Sequence, residues 1–268
     1  MELEQLCNKV KDIARDTGVF ILEEQKNFSS SDYETKGRQN FVTHVDTGAE
    51  RILVRELKKL LPEAGFITEE GTVEQSVEDY QWIIDPIDGT TNFIHGLPPY
   101  AICIALSFKG EVILGVVYEL GRKEFFYSWK GGKAYMNGEE IRVSKTDSVG
   151  SSLIATGFPY TYFDRLDPFM HSIRYFMQNS HGLRRLGSAA TDLVYVACGR
   201  VDAFYEYGLN AWDVAAATFI ILQAGGVACD FYGNEDWLFG GTIIATNASV
   251  HDEFKEVIHK IFIKEEEI

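Results

Sequence analysis

WIIDPIDGTTNF, residues 82–93, is the stretch of sequence on which the fold depends. Its first three residues, 82–84, are aromatic or β-branched and predict the end of a buried strand. Pro86 has no N–H group to donate to a sheet, so we expect the strand to stop at Asp85. Residues 89–91, Gly-Thr-Thr, then predict the start of a short helix. The stretch therefore predicts a strand that ends in a turn and a helix that begins directly after it.

Asp85 and Asp88 flank this proline-containing turn. Either aspartate alone is typical of a turn or of a helix cap. As a pair at a strand end they favour a functional site, because paired carboxylates suit a hard cation such as Mg²⁺. The backbone N–H groups of the helix that follows Gly89 suit a phosphate. Neighbouring sites for a cation and an anion are what a metal-dependent enzyme acting on phosphate esters requires.

Two further segments place acidic residues at a predicted strand end or helix start. Glu69 follows the predicted strand 66–68, and Asp213 opens the predicted helix 214–224. Taken alone, the acidic pair that begins with Glu69 is typical of a solvated turn, and Asp213 is typical of an N-terminal cap. If these carboxylates meet the aspartate pair, like charges ~4 Å apart repel by ~1 to 4 kcal/mol per pair, which only divalent cations make tolerable. Oxygen ligands without a neighbouring His or Cys pair favour Mg²⁺ or Mn²⁺ over Zn²⁺.

The length and composition indicate a folded protein with a large core. At 268 residues, with 46% hydrophobic and 13% aromatic residues, the chain can form one compact unit over 1–268. We expect two lobes in this unit, at about 1–145, which contains the acidic pair of the predicted metal core, and at about 146–268. The formal net charge of −15 disfavours nucleic acid and anionic membranes as partners, because it repels their phosphates.

The cysteines and the N-terminus indicate where the protein resides. The four cysteines are far apart and form no CxxC pair, which is typical of thiols in a reducing compartment. The opening MELEQLCNKV lacks the basic and apolar regions of a signal peptide. No apolar run approaches the length that spans a bilayer. We therefore expect a soluble cytoplasmic protein.

Upstream of the central stretch, apolar spacing predicts a helix over 2–26 and a second helix that ends before Pro62. Asp46 stands where the second helix begins and is typical of its N-terminal cap. Between the two helices lies a polar stretch, residues 27–40, which we expect to be a loop or lid. It contains Lys36, which is either a solvated surface residue or a group that approaches an anion at the metal site.

Downstream, residues 101–135 alternate between strand patterns and turns, and they predict an antiparallel meander. Further patterns predict, in chain order, strand 151–156, helix 168–178, strand 182–186, strand 203–206, strand 242–246 and helix 250–264. The small residues 187–190 follow a predicted strand, and they indicate either a close approach to a ligand or close helix packing.

The stretch at 82–93 is accompanied by FITEEG at 66–71 and by LNAWDVAAATFIILQAGG at 209–226. Together these segments closely resemble the inositol monophosphatase family of Mg²⁺-dependent, lithium-sensitive phosphatases. VTHVD at 42–46 and LGSAA at 186–190 extend the resemblance over essentially the whole chain. The resemblance implies an α+β fold, an alternating α/β/α/β/α layered sandwich of the inositol monophosphatase and fructose bisphosphatase type. It also implies a homodimer.

The resemblance implies two to three Mg²⁺ ions in the site. Glu69, Asp85 and the carbonyl of Ile87 match the ligands of the first ion. Asp85, Asp88 and Asp213 match the ligands of the second. Glu69 would also help to bind a third, weaker ion. Mn²⁺ can replace Mg²⁺ in such a site, and Li⁺ would inhibit by occupying the second position after turnover.

The same resemblance assigns the activation of the attacking water to Thr90 and Asp46. With Glu69, these residues would orient and deprotonate a water that a bound cation activates. The N–H groups of Gly89 and Thr90 would receive the phosphate, and Lys36 matches a loop lysine near the metals. The sequence offers no obvious activated Ser, Cys or His nucleophile beside the motif, so we expect direct hydrolysis.

The wall that holds the substrate's hydroxyl groups is also implied by the resemblance. The backbone of Ala189 and the side chain of Glu206 match the positions that bind these hydroxyls. Gly187 and Ser188 line the same wall, and Asp88 also reaches one hydroxyl. The implied reaction is the hydrolysis of myo-inositol monophosphate to inositol and phosphate.

Two alternatives stay open. The first is a relative that hydrolyses fructose-1,6-bisphosphate, NADP or another sugar phosphate, because the metal core contacts only the phosphate and its ester oxygen. A larger anionic substrate requires extra cations in the pocket. Arg184 and Arg185 are the candidates, although two arginines on a strand are typical of surface charge. The second alternative is a non-catalytic interaction protein on the same fold, which a missing ligand would favour, and no ligand is missing.

Overall fold

The computed structural model of the protein describes residues 2–27, 33–37, 40–76, 78–160 and 162–263. Its helices are α1 (Leu3–Asn27), α2 (His44–Leu60), α3 (Thr90–Ile94), α4 (Leu166–Asn179), α5 (Ala189–Ala197), α6 (Ala211–Gln223) and α7 (His251–Phe262). A small antiparallel hairpin, β1 (Tyr33–Gly37) and β2 (Asn40–Thr43), lies between the first two helices.

Two larger sheets carry the rest of the fold. The seven-stranded sheet contains, in spatial order, β3 (Gly65–Thr68), β4 (Tyr80–Asp88), β5 (Ala101–Phe108), β6 (Glu111–Glu119), β7 (Glu124–Trp129), β8 (Tyr135–Met136) and β9 (Glu139–Glu140). The five-stranded sheet is formed by β10 (Leu153–Thr156), β11 (Gly182–Arg184), β12 (Ala203–Tyr207), β13 (Gly226–Cys229) and β14 (Thr242–Asn247). Its spatial order is β11-β10-β12-β14-β13. The strands β5 to β8 pair antiparallel in sequence order, which confirms the predicted meander.

The side chains of the sheets alternate between separate cores. Trp82 of β4 packs with α1 and α2, whereas the next residue, Ile83, packs with α5 and α6, as the two-residue period of a strand requires. Phe204 of β12 faces α5 and α6 from the other side, and Tyr205 faces α4 and α7. The layers therefore run from α1 and α2 through the first sheet, α5 and α6, and the second sheet to α4 and α7. This order confirms the expected α/β/α/β/α sandwich.

The central helix α6 lies close to the first sheet. A Cβ atom on Gly115 of β6 would stand 2.5 Å from the carbonyl oxygen of Ala216, so only glycine fits there. Ala215 and Ala217 flank this contact and are also buried. The small residues allow α6 to pack directly on the strands, with its first turn near the end of β4.

One expectation about the region before α2 is wrong. The polar residues 27–40 are not a loop throughout, because β1 and β2 pair within and beyond them. Backbone hydrogen bonds hold such a two-stranded ladder, so it does not depend on an apolar pattern. Lys36 lies in β1, but its side chain, like residues 28–32 and 38–39, lies outside the part that the structure describes. Its approach to the metal site stays a prediction.

The described residues contain no helix that combines the length and the apolar character needed to cross a bilayer. All four cysteines are free thiols.

Candidate active site

The strand β4 runs past Pro86 to Asp88 instead of stopping at Asp85. Asp85 pairs with Cys103 of β5, and the next pair joins Asp88 to Ala101, so two residues of β4 stand opposite one residue of β5. Pro86 is tolerated because the unpaired residues of a β-bulge need not donate to the ladder. The expectation that proline ends the strand is therefore wrong.

This bulge brings the two aspartates to one side of the sheet. In a regular strand, residues three apart point to opposite faces. The extra residue restores the same direction for Asp85 and Asp88, and the N–H group of Ile87 donates to Asp85 Oδ1 at 2.9 Å. The spacing of three in the sequence thus produces a convergent carboxylate pair.

Asp213 completes the cluster from the first turn of α6. Asp85, Asp88 and Asp213 each offer a carboxylate oxygen, and these oxygens lie within 4.8 Å of one another. Asp213 is the third residue of its helix, where Asp213 Oδ2 accepts a hydrogen bond from the N–H group of Asn210 at 2.6 Å. Asn210, and not Asp213, occupies the N-terminal cap position. Asp213 is therefore not the cap residue itself, but its side chain takes part both in the capping box of α6 and in the cluster.

Glu69 enters the same cavity from the turn after β3. Its N–H group donates to the carbonyl of Ile84 at 3.3 Å, which ties the turn to β4. The following turn is held by Glu50 of α2, whose fully buried carboxylate accepts from the N–H groups of Glu70 and Thr72, each at 2.7 Å. Glu50 thus fixes the turn that carries Glu69, and this role was not predicted from the sequence.

The electrostatics of the cluster fit a divalent cation. Burial, followed by the charges of three acidic neighbours, raises the pKa of Asp85 well above its usual value. Burial raises the pKa of Asp88 to about 6, and burial together with Asp88 raises the pKa of Asp213 to about 7. The buried carboxylates resist full ionisation because they repel one another in a poorly solvated place. A hard cation with oxygen ligands would relieve this repulsion, so the residues present fit Mg²⁺.

The short helix α3 begins beside the cluster through a left-handed glycine. Gly89 has φ of +96°, and a Cβ atom there would lie 3.0 Å from the carbonyl oxygen of Gly187 and 3.1 Å from that of Pro99. Glycine is required for both reasons. The backbone at Gly89 and Thr90 lines the cavity next to the aspartates, where a phosphate oxygen could approach it.

Thr90 and Asp46 form a hydrogen-bonded pair at the edge of this helix. Thr90 Oγ1 lies 3.1 Å from Asp46 Oδ1 and 3.1 Å from the carbonyl oxygen of Ile87. Asp46 Oδ2 accepts from the N–H group of Thr43 at 2.8 Å and from its hydroxyl group. Thr43 is the N-terminal cap of α2 and Asp46 is its third residue, so the prediction that Asp46 is the cap is wrong. Burial raises the pKa of Asp46, although its hydrogen bonds act in the opposite direction.

The opposite wall begins with the N-terminus of α5. Ser188 Oγ donates to Asp88 Oδ2 at 2.6 Å, and the N–H group of Ala190 donates to the same oxygen at 2.7 Å. Gly187 and Ala189 line the cavity beside them. The serine therefore fixes Asp88 in addition to lining the wall.

Glu206 of β12 closes this wall and depends on a glycine opposite it. A Cβ atom on Gly157 would lie 2.0 Å from the Glu206 carboxyl group, so no other residue fits without moving the carboxylate. Burial, followed by the charges of Asp213 and Asp88, raises the pKa of Glu206 well above its usual value. Gly157 was not recognised from the sequence, because its requirement comes from a strand about fifty residues away.

Two further polar residues of the site were also missed. Asn92 Nδ2 donates to the carbonyl oxygens of Pro99 and Leu186, both at 2.8 Å, and so joins α3 to the wall. Asp192 lines the cavity and is 1% exposed, and its Oδ1 has no hydrogen-bond partner in the described part of the chain. Asp192 could have been recognised from its distance to Ala189 in the sequence, because residues three apart lie on the same face of a helix.

Almost all of the predicted site residues line one cavity of about 190 Å³. They are Glu69, Asp85, Ile87, Asp88, Gly89, Thr90, Gly187, Ser188, Ala189, Glu206 and Asp213. Asp46 lies behind Thr90, and the side chain of Lys36 is not described.

Known proteins are similar to this chain in sequence and in fold. A sequence model of the inositol monophosphatase family matches residues 2–266. The chain is 40% identical to an inositol-1-monophosphatase of Mesorhizobium japonicum over 226 residues, which cover 84% of this chain and 85% of the relative. It is 39% identical to the Nus factor SuhB of Pseudomonas aeruginosa over 250 residues, which cover 91% of this chain and 92% of that one.

Solved structures agree with these matches. An IMPase of Thermotoga maritima superposes with a TM-score of 0.86 at 37% identity, covering 98% of this chain and 99% of its own. The extragenic suppressor protein suhB of Bartonella henselae superposes with a TM-score of 0.89 at 33% identity, covering 96% and 99%. The matches support phosphatase activity in general. The chain belongs to the inositol monophosphatase family.

Proposed function

We propose that the protein is a Mg²⁺-dependent phosphomonoesterase that hydrolyses myo-inositol monophosphates to inositol and phosphate. The observation that carries this proposal is the convergence of Asp85, Asp88 and Asp213, whose oxygens lie within 4.8 Å of one another. The backbone of Gly89 and Thr90 lies beside them, which gives a phosphate ester a place next to the cations. Membership of the family supports the same chemistry.

The proposed assignment of ligands to ions follows the resemblance to the inositol monophosphatase family. Glu69, Asp85 and the Ile87 carbonyl would hold one ion. Asp85, Asp88 and Asp213 would hold a second, and Glu69 would contribute to a third. Mg²⁺ is the preferred ion and Mn²⁺ a substitute, because every ligand is an oxygen. Bound cations supply Lewis-acid stabilisation of the phosphate and of the leaving oxygen, and they make water easier to deprotonate.

The protein's own residues position the attacking water and its proton. The Thr90 hydroxyl can donate to Asp46 Oδ1, 3.1 Å away, and it then presents a lone pair to the water. Thr43 holds Asp46 Oδ2, so the other oxygen, Oδ1, has a fixed direction toward Thr90. We assign proton acceptance to Asp46, with Glu69 as the alternative acceptor in the cavity.

The leaving alcohol is oriented by the wall. Asp88, the Ala189 backbone and Glu206 would hold its hydroxyl groups, and Gly187 and Ser188 shape the surface that they share. The described residues that line the cavity include neither Cys nor His, and their one serine already donates to Asp88. Direct attack by water, without a covalent intermediate, is therefore the proposed route.

The alternative functions differ from this one in substrate or in partner. Fructose-1,6-bisphosphate, NADP and other sugar phosphates are alternative substrates of the same chemistry. An interaction protein on the same fold is the alternative of a different class, and the name Nus factor SuhB of several relatives favours keeping it. A homodimer, inhibition by Li⁺, a cytoplasmic location and the absence of nucleic-acid and membrane partners stay predictions.

The deciding experiment measures phosphate release by the purified protein, with Mg²⁺ and with a chelator. The panel contains inositol 1-phosphate, glycerol 2-phosphate, fructose 1,6-bisphosphate and NADP, compared by kcat/KM. Asp88→Asn removes one ligand without changing shape, and we expect it to lower activity by more than about tenfold. If wild type releases no phosphate in a Mg²⁺-dependent way, the interaction protein becomes the better reading.

A further inference from the structure

Two adjacent arginines have different surroundings. Arg184, at the end of β11, is exposed, and its Nη1 donates to the neighbouring carbonyl of Leu183 at 2.8 Å. Arg185 is half-buried and lines the active-site cavity. Arg184 is therefore a surface charge, whereas Arg185 is part of the active-site cavity.

Aromatic rings and a glycine hold the Arg185 guanidinium in place. Its Cζ atom lies 5.3 Å from the centre of the Phe158 ring and 5.4 Å from that of Tyr160. A Cβ atom at Gly187 would approach Arg185 Nη1 to 2.7 Å, so the guanidinium keeps this position only beside a glycine. Contacts of a cation with aromatic faces fix a guanidinium without using its N–H groups.

The N–H groups of Arg185 have no acceptor in the described structure. No ion pair or hydrogen bond is formed by this side chain with any described residue, and its buried Nε has no partner. A guanidinium carries five N–H donors in a planar fork that matches the oxygens of a phosphate or carboxylate. Leaving such donors without partners near the interior is unfavourable, so an oxyanion that reaches them is bound well.

Arg185 is also the one basic residue among the described residues that line the cavity. Four of the acidic residues are proposed metal ligands, which bound cations would neutralise. Asp192 and Glu206 remain. Burial raises the pKa of each well above its usual value, and Arg185 acts in the opposite direction on both, so it is close to them without pairing. The wall thus offers acceptors for hydroxyl groups and, at Arg185, a donor for an anion.

We propose that Arg185 binds a second oxyanion on the leaving alcohol, so that the enzyme prefers phosphate monoesters whose alcohol carries another phosphate or a carboxylate. This preference rests on the phosphatase function proposed above, and among the substrates considered there it ranks fructose 1,6-bisphosphate and NADP above inositol monophosphate. The first phosphate lies at the metal ligands, the hydroxyl groups contact the wall between, and the second anion contacts the guanidinium.

The test uses substrate pairs that differ only in the second anion. Fructose 1,6-bisphosphate is compared with fructose 1-phosphate, and 2-phosphoglycerate with glycerol 2-phosphate, by kcat/KM at constant ionic strength. We expect wild type to favour the doubly anionic member, and Arg185→Gln to reduce this ratio by about 10- to 100-fold, as loss of a charge-assisted contact predicts. The phosphate and carboxylate pairs show which anion the arginine prefers.

Arg184→Gln is the matched control, because it removes the same charge one residue away, outside the cavity. It should leave both ratios within about twofold. Arg185→Lys keeps the charge but not the planar fork, so its ratio should lie between those of wild type and Arg185→Gln. If a thermal melt shows that Arg185→Gln is not folded, Arg185→Lys is used in its place.

Glycerate gives a readout without turnover, because it carries the carboxylate and hydroxyl groups of 2-phosphoglycerate but no phosphate ester. It should inhibit wild type competitively and Arg185→Gln about 10-fold more weakly or worse. Two results would overturn the role of Arg185 even if Mg²⁺-dependent hydrolysis of inositol 1-phosphate were observed. One is that Arg185→Gln lowers kcat/KM equally for both members of each substrate pair. The other is that Arg184→Gln and Arg185→Gln change the ratios equally. Absence of hydrolysis from every ester would instead reject the phosphatase function together with it.

Discussion

Exchange of Asp85 for asparagine distinguishes a metal site from a merely acidic cavity. Asp85 is 1% exposed, and burial followed by three acidic neighbours raises its pKa well above the usual value. The fold holds these carboxylates together, whereas the unfolded chain separates them. A cation that binds the native cluster therefore stabilises the folded protein. Asp85→Asn removes a ligand that both principal ions would share, so Mg²⁺ should stabilise the variant far less than wild type.

The size of the effect follows from linkage. At a free Mg²⁺ concentration of 100 times Kd, one independent site contributes ~2.7 kcal/mol to the free energy of unfolding. For a chain of this size, each kcal/mol changes Tm by ~2 to 4 °C, so one occupied site raises Tm by ~5 to 11 °C. We expect a gain of this size or greater in wild type and a gain below ~3 °C in Asp85→Asn.

The assay is a thermal melt in one buffer, with a chelator and then with Mg²⁺. Asp192→Asn is the matched control, because Asp192 is also 1% exposed and lines the same cavity but is not a proposed ligand. Mg²⁺ should raise the Tm of Asp192→Asn by as much as it raises the Tm of wild type. An equal gain in Asp85→Asn would refute the assignment of the cluster as the metal site.

Three other outcomes are expected. Thr90→Ala should lower kcat by about 100-fold or more with little change in KM, because its hydroxyl serves the attacking water, and an effect confined to KM would make Thr90 a binding residue only. Gly157→Ala should displace the Glu206 carboxylate, which would lie 2.0 Å from the new Cβ atom, and raise KM for inositol 1-phosphate; an unchanged KM would exclude Glu206 from substrate binding. Without metal, burial raises the pKa of Asp88 to about 6 and of Asp213 to about 7. The folded state then binds more protons than the unfolded chain, so the free energy of unfolding should fall as pH rises from ~4 to ~7, and chelated melts that show a rise would contradict this.

The sequence predicted the acidic cluster better than the path of the backbone that forms it. Asp85, Asp88 and Asp213 were recognisable as a group, because several carboxylates placed together at strand ends and helix starts are typical of a functional site. The bulge at Pro86 was not predicted, because the proline rule describes regular ladders and says nothing of an unpaired residue. The resemblance to a family supplied the layered architecture, which the local patterns alone did not determine.

Residues defined by distant contacts stayed hidden. Glu50 and Asn92 act through backbone groups of other elements, so no local pattern identifies them. Arg184 and Arg185 look alike in sequence, and only the fold separates the exposed side chain from the one in the cavity. Positions of this kind depend on the assembled tertiary structure and not on periodicity.

The hydrogen bonds to Asp88 join parts of the chain that are far apart in sequence. Asp88 belongs to the first sheet, and its donors, Ser188 and the N–H group of Ala190, come from a helix 100 and 102 residues later. Contacts of such long sequence separation require the closure of a large loop, which makes them slow to form. Cation affinity should thus develop late in folding, and it reports whether the two sheets have reached their final arrangement around the helices between them.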